Sequence, residues 1–223
     1  MEKKIEQWLS ELEIKDNPNE FEAKKLVRLY DINVPETLIF AHGDKLDTSR
    51  IKSPYVLKVC SPDILHKTDQ KGVVLNLNDD TINDQFNDMR RRFPGESLLV
   101  EHQCDFEAPE FIIGIVKDSA LGHAVMVGAG GIFTEIYKDV TFRLAPCSEN
   151  EAKSMIDELA LAEVFHGFRG MNFDEDKLAK VISNVSTLAR DMGDKLSQLD
   201  INPVVYSKTD WIALDVKIVL TKP

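Results

Sequence analysis

The chain has 223 residues, 43% hydrophobic and 29% charged, a globular composition with room for one large domain or two small ones sharing an interface. A formal net charge of −11, with no Lys/Arg-rich block to set against it, excludes nucleic acid or an anionic membrane surface as the main partner, because both need a basic footprint. Three cysteines, Cys60, Cys104 and Cys147, odd in number and more than forty residues apart, fit neither a disulfide framework nor a zinc motif and predict a reducing, cytoplasmic setting.

The first residues lead into an amphipathic helix, with Ile5, Trp8, Leu9 and Leu12 at helical spacing, and not into an apolar signal core. No apolar run approaches the roughly 20 residues a membrane span needs, so a soluble chain is expected. Asn17-Pro18-Asn19 breaks the helix, and a second follows with Phe21, Ala23, Leu26, Leu29 and Tyr30 on its apolar side. A short strand is expected at 37–40, then a polar stretch at 42–53 that holds the first boundary. Strands at 55–59 and 73–75 flank a loop at 61–71, and a helix from Asp79 ends in Arg90-Arg91-Arg92, where cations suit a helix C-terminus. After Pro94-Gly95, segments 98–101, 111–116, 124–127 and 133–137 read as strands of one antiparallel sheet. Helices at 149–159 and 174–192 precede a closing hairpin, 199–206 with 211–218. Strands, then helices, then a hairpin is an α+β pattern, not βαβ alternation.

The closing hairpin carries the sharpest inference from residues alone. A symmetric tip at 207–210 pairs Tyr206 with Trp211 and Asn202 with Asp215, and alternation puts Asp200 beside Asn202 on one face. Opposed residues have Cβ atoms about 5 Å apart. An Asn oxygen beside an Asp carboxylate suits Mg²⁺, a hard cation that takes one or two protein ligands plus phosphate oxygens; a polar outer face of an edge hairpin gives the same pattern. Lys58, inside an apolar strand, needs an anionic partner or an aqueous cleft; a phosphate, a structural Asp or Glu, or an edge position would each serve. His66 lies in an inter-strand loop, where imidazole can accept a phosphoryl group or simply be solvated. The glycines at 128–131 allow backbone N–H groups to approach phosphate, or form a plain turn, and match neither a Walker loop nor a dinucleotide fingerprint. Glu101 and Glu110 flank a strand turn, as receivers of adenine or ribose hydrogen bonds or as exposed loop acids.

Taken together, these segments resemble the β subunit, or ATP-grasp half, of ADP-forming (NDP-forming) acyl-CoA synthetases, and more distantly the β subunit of succinyl-CoA synthetase. The matching strings are Glu22-Ala23-Lys24 with residues 30–35, Leu57-Lys58 through Ser61-Pro62-Asp63-Ile64-Leu65-His66-Lys67-Thr68-Asp69, the runs 130–135 and 138–146, Gly167-Phe168-Arg169-Gly170, and Leu199-Asp200-Ile201-Asn202-Pro203 with Ala213-Leu214-Asp215. They occur in family order from about Glu20 onwards; the 61–67 and 199–203 strings are specific, and the glycines alone would not be.

The resemblance implies an ATP-grasp fold, two α+β lobes enclosing a nucleotide cleft. The expected division is 1–50 as a helical segment and first part, 51–100 as the small lobe with the histidine loop, and 101–223 as the large lobe with the metal hairpin. It implies Mg²⁺ on Asn202 and Asp215, and ATP or ADP contacted by Lys58, Glu101, Cys104 and Glu110. A phosphate loop would draw on Ser61, Lys67, Lys71, Gly130, Gly131 and Arg143, and His66 would carry the phosphoryl group. One departure stands out: where family members read Gly-Gly-Val after the histidine loop, this chain has Lys71-Gly72-Val73, so the loop is stiffer and Lys71 itself can supply charge. The implied reaction is acyl-CoA + ADP + phosphate ⇌ acid + CoA + ATP, in a heterotetramer with a CoA- and acyl-binding α subunit, cytoplasmic and without nucleic acid or membrane. Two alternatives stay open from the same fold: another ATP-grasp carboxylate ligase, and a regulatory nucleotide-binding module like that attached to some protein acetyltransferases.

Overall fold

Two hydrophobic cores organise the chain, one around Phe111, Ile113 and Trp211 and the other around Leu57, Phe86 and Val100. A computed structural model describes residues 2–12, 17–64, 67, 70–130, 139–170 and 173–221. In chain order its elements are α1 (Glu2–Glu11), α2 (Glu20–Arg28), β1 (Thr37–Phe40), β2 (Tyr55–Cys60), β3 (Val73–Leu77), α3 (Ile82–Arg92), β4 (Ser97–His102), β5 (Glu107–Asp118), β6 (Gly122–Ala129) and β7 (Val140–Leu144). Helix α4 (Glu149–Asp157), 3-10 turns at Ala160–His166 and Phe168–Gly170, α5 (Glu175–Met192), β8 (Leu196–Ser207), β9 (Asp210–Ala213) and β10 (Val216–Leu220) complete it. No helix among the described residues is long and apolar enough to cross a membrane.

The smaller unit comprises Asn19–Phe21 and Pro35–Cys104. Its sheet runs β1-β4-β2-β3, antiparallel throughout. All six residues of β2 are buried. Alternation sends Tyr55, Leu57 and Val59 into the apolar core with Phe86 and Met89 of α3, so Lys58 faces the opposite side.

The larger unit comprises Met1–Pro18, Glu22–Val34 and Asp105–Pro223. Its sheet runs β10-β8-β5-β6-β7, with β9 also on β8. Helix α5 lays Leu178, Ile182, Val185 and Leu188 on the inward residues of β5, β6 and β8. Both α4 and α5 start on caps that satisfy their first N–H groups. Ser148 and Glu151 form a reciprocal capping box on α4, and the Asp174 carboxylate accepts from the Lys177 N–H at 3.0 Å on α5. The other face of the sheet presents Asp200 and Asn202 from β8 beside Gly114 of β5.

Four sequence expectations change. Segment 98–101 joins the smaller unit's sheet, not that of 111–116 and 124–127, because Val100 and Leu98 pair with β2. Strand β7 was not expected; it pairs with β6 and buries neither Phe142 nor Leu144, so its apolar residues gave no burial signal. The expected strand at 133–137 lies outside the described residues. The hairpin's return strand is broken at Leu214–Asp215 into β9 and β10, and β8 is not at an edge, since β5 flanks it on one side.

Candidate functional site

Strand β8 places the first constellation. Tyr206 pairs with Trp211 and Ile201 with Val216, so one register runs through the break, and the Asn202 N–H donates to the Asp215 carbonyl at 3.2 Å. The Leu214 N–H donates back to the Pro203 carbonyl at 3.0 Å, which holds the short irregular stretch in line. Leu199, Ile201 and Val204 are buried among the helices, so Asp200 and Asn202 stand on the open side, Asn202 exposed and Asp200 half-buried. Burial pushes the Asp200 carboxyl above the usual carboxylate range, the nearby Asp215 charge adds to that push, and Lys217 opposes it. Two carboxylates and an amide oxygen are donor types that suit a hard divalent cation, and a bound cation would relieve the crowding of negative charge. The residues present fit Mg²⁺.

The second constellation lies in the smaller unit. The Lys58 Nζ donates to Glu20 Oε1 at 2.8 Å and lies 3.0 Å from Glu101 Oε2. Thr37 Oγ1 donates to Glu101 at 2.9 Å, and the other oxygen of Glu20 takes the Lys67 ammonium. Lys58, Glu20 and Glu101 are all buried. The anion that an interior lysine requires is thus supplied by two glutamates.

The stem of the 61–71 loop is pinned from several directions. The Asp63 N–H donates to Ser61 Oγ at 3.2 Å, the Gly72 N–H to the Lys67 carbonyl at 2.6 Å, and Arg92 of α3 to the Lys71 carbonyl at 2.6 Å. Lys71 sits at φ +54°, the left-handed region, which explains why a glycine suits this position. Gly72 must stay small for a different reason: a Cβ there would lie 2.6 Å from Val59 and 3.0 Å from the Lys67 carbonyl. His66 and Gly131 lie outside the described residues.

The remaining expected residues are divided between the two units. Glu101 and Glu110 belong to different sheets, β4 and β5. Cys104 closes the smaller unit in sequence. The Gly130 N–H donates to the Glu110 carbonyl at 2.7 Å. Arg143 does not join the strip. It pairs across from inward-facing Val125, and its guanidinium grips Glu158 at the end of α4. Two participants escaped the sequence reading. Asp200 was visible by alternation but not as a member of the donor set, and Glu20 meets Lys58 from 38 residues away with no local signal at all.

Residues 12–220 match the family described as ATP-grasp domain. The β subunit of acetate–CoA ligase (ADP-forming) II from Pyrococcus furiosus is 34% identical over 213 residues, covering 90% of this chain and 90% of its own. A Pyrococcus horikoshii Ot3 protein of known crystal structure is 33% identical, with a TM-score of 0.89 and 100% of each chain covered. A dinucleotide-forming acetyl-coenzyme A synthetase 1 from Ca. Korarchaeum cryptofilum, solved with coenzyme A and Mg-AMPPCP and with its phosphohistidine segment pointing towards the nucleotide binding site, is 28% identical. Its TM-score is 0.81, over 99% of this chain and 100% of that one.

Proposed function

On the premise that the chain belongs to the ATP-grasp domain family and, within it, to the β subunits of ADP-forming acetate–CoA ligases, we propose that it is the nucleotide-binding subunit of an ADP-forming acyl-CoA synthetase. One observation carries this reading: the match to a separate β subunit runs over nine-tenths of both chains. The reaction is acyl-CoA + ADP + phosphate ⇌ acid + CoA + ATP. The partner is a CoA- and acyl-binding α subunit, in a cytoplasmic heterotetramer.

Asn202 and Asp215, with Asp200 beside them, hold Mg²⁺; when bound, the ion neutralises phosphate charge. The opposed register on β8 and the raised Asp200 proton affinity support this assignment. Lys58 is the phosphate contact. Glu101, Cys104 and Glu110 serve the base and ribose, and Gly130 and Gly131 with Ser61 and Lys71 line the phosphates. Arg143 takes no part in the metal strip, since it stands across from inward-facing Val125 on the sheet face that carries α4. His66 carries the phosphoryl group between the partner and the nucleotide. An imidazole nitrogen suits that task because phosphohistidine is a high-energy carrier fit for near-reversible exchange.

The test uses Mg-ATP labelled on the γ-phosphate. The wild-type chain should take up label that is acid-labile and base-stable. His66→Ala should bind Mg-ADP normally, take up no such label, and show no turnover with its α partner. Wild-type turnover in that variant sinks the relay.

A further inference from the structure

In an antiparallel sheet with one face on the core, the other face is ordinarily polar. The larger unit's sheet keeps that rule on β8, where Gln198, Asp200 and Asn202 stand on the open side, and breaks it on the next three strands. Cross-strand pairing aligns Val116 with Ala124 and Leu144, and Gly114 with Met126 and Phe142; a third row joins positions 112, 128 and 140. None of these nine positions carries a polar side chain. Alternation sends the intervening Ile113, Ile115, Val125 and Val127 into the core, so the nine share the open face. Strand β7 is inverted outright. Thr141 donates to the Met155 carbonyl of α4 at 3.1 Å and Arg143 holds Glu158, while Phe142 and Leu144 are 48% and 54% exposed. A Cβ on Gly114 would lie 3.3 Å from the Met126 terminal methyl, so the glycine leaves room for that side chain to lie across β5. A contiguous apolar block of this kind on an acidic chain marks an interaction surface.

We infer that the open face of β5, β6 and β7, centred on Phe142 and Leu144, docks the CoA- and acyl-binding α subunit through an apolar patch with basic residues at its rim. The inference rests on the reading of the chain as a β subunit given above. Acetate–CoA ligase (ADP-forming) from Methanocaldococcus jannaschii is 33% identical over 86% of this chain but only 29% of its own, so there the counterpart of this chain is covalently continuous with the rest of the enzyme. Where the same region is a separate chain, surface has to make the contact that the polypeptide makes there. A second copy of this chain is the poorer occupant, because it brings a further formal charge of −11 to the contact. A centre without charge and an acidic margin, Asp118 at the end of β5 and Asp200 beside Gly114, suit a partner that is apolar in the middle and basic around it. A partner seated here stands one strand away from the metal strip, where a phosphoryl group has to arrive.

The test is titration calorimetry of the full chain with the purified α subunit, with Mg-ADP affinity and melting temperature measured on the same samples. Phe142→Lys combined with Leu144→Lys should raise the Kd for the α subunit at least about 30-fold, the loss that marks the centre of a contact. Mg-ADP affinity and melting temperature should stay as in the wild type. Val116→Lys, in the same row as Leu144 and 44% exposed, should weaken the complex too and stands in if the double variant does not fold. Leu75→Lys, at a leucine of the smaller unit that is 55% exposed, should bind the α subunit as the wild type does. A wild-type Kd in the double variant or in Val116→Lys, or an equal loss in Leu75→Lys, overturns the inference and leaves the subunit reading standing. Lost Mg-ADP affinity would give the face to the nucleotide, and dissociation of a dimer of this chain alone would give it to a second copy; either overturns it as well. If the wild-type chain forms no complex with the α subunit, the inference and the subunit reading fall together.

Discussion

The two charged constellations solve opposite problems. In the smaller unit Glu20, Glu101, Lys58 and Lys67 neutralise one another in the interior, where each ion has its counter-ion within the cluster. In the larger unit Asp200 and Asp215 share one strip of the sheet, and burial, with the Asp215 charge adding to it, makes Asp200 hold its proton more tightly. A buried cluster of paired ions is a means of fixing geometry, since separating a pair leaves its charges in a poor solvent. An acidic strip at a surface is a means of attracting a cation, since its own repulsion is what binding relieves. The first keeps parts in place and the second waits for a ligand.

The contrast can be broken most forcefully at Lys58. Lys58→Met removes the ammonium shared by Glu20 and Glu101 in the interior and should destabilise the chain by about 3–5 kcal/mol in chemical denaturation. Adding Glu101→Leu should recover a large part, because an apolar pair of similar volume replaces an ionic one at little net cost. A loss under about 1 kcal/mol for the single variant would show the cluster to be solvated.

Just past β6 the determinant is steric, not ionic. A Cβ on Gly130 would sit 3.0 Å from the backbone carbons of Glu110 and Phe111, so Gly130→Ala should cost about 1–3 kcal/mol by thermal or chemical melting. An unchanged midpoint would mean that β5 yields easily there.

The strip itself is probed by Asp200→Asn. Its effect on Mg-ADP binding should be a loss of affinity on the order of tenfold by calorimetry, together with a gain in the stability of the ligand-free chain at neutral pH. The sign follows from the raised folded-state pKa. The neutral carboxyl is the form that favours folding, so its contribution is complete below the ordinary carboxylate pKa and is lost as pH rises through the higher folded value. The advantage of the Asp200→Asn variant over the wild-type chain should accordingly vanish in acid and appear as pH rises. Equal melting temperatures across the whole range would show that neither burial nor the Asp215 charge raises the proton affinity of Asp200.

The smallest effect belongs to the histidine-loop stem. Lys71 holds a left-handed backbone that costs a non-glycine residue about 1 kcal/mol. Glycine also gains freedom in the unfolded chain, so Lys71→Gly should gain only about 0.5 kcal/mol. A clear drop in melting temperature would assign the Lys71 side chain a stabilising contact of its own.

Much of the local structure was readable because its causes are local. Ser148 with Glu151 and Asp174 with Lys177 announce two helices through groups three residues apart. The register that opposes Asn202 to Asp215 follows from counting outward from Ser207-Lys208-Thr209-Asp210, and the protein keeps that count even across the break at Leu214. The specific strings at 61–67 and 199–203 likewise led to the family, whose match spans residues 12–220.

What the sequence by itself determined, then, was the run of elements, the hairpin register and the family; the tertiary structure alone decided which partners those elements take. Nothing near 98–101 says that it joins β2 and not β5, nothing near Arg143 names Glu158, and nothing near Lys58 or Lys67 names Glu20. Hydrogen-bond caps and strand alternation act over a few residues, whereas charge pairing and sheet membership are settled by whichever distant groups the packed core brings within a few ångströms.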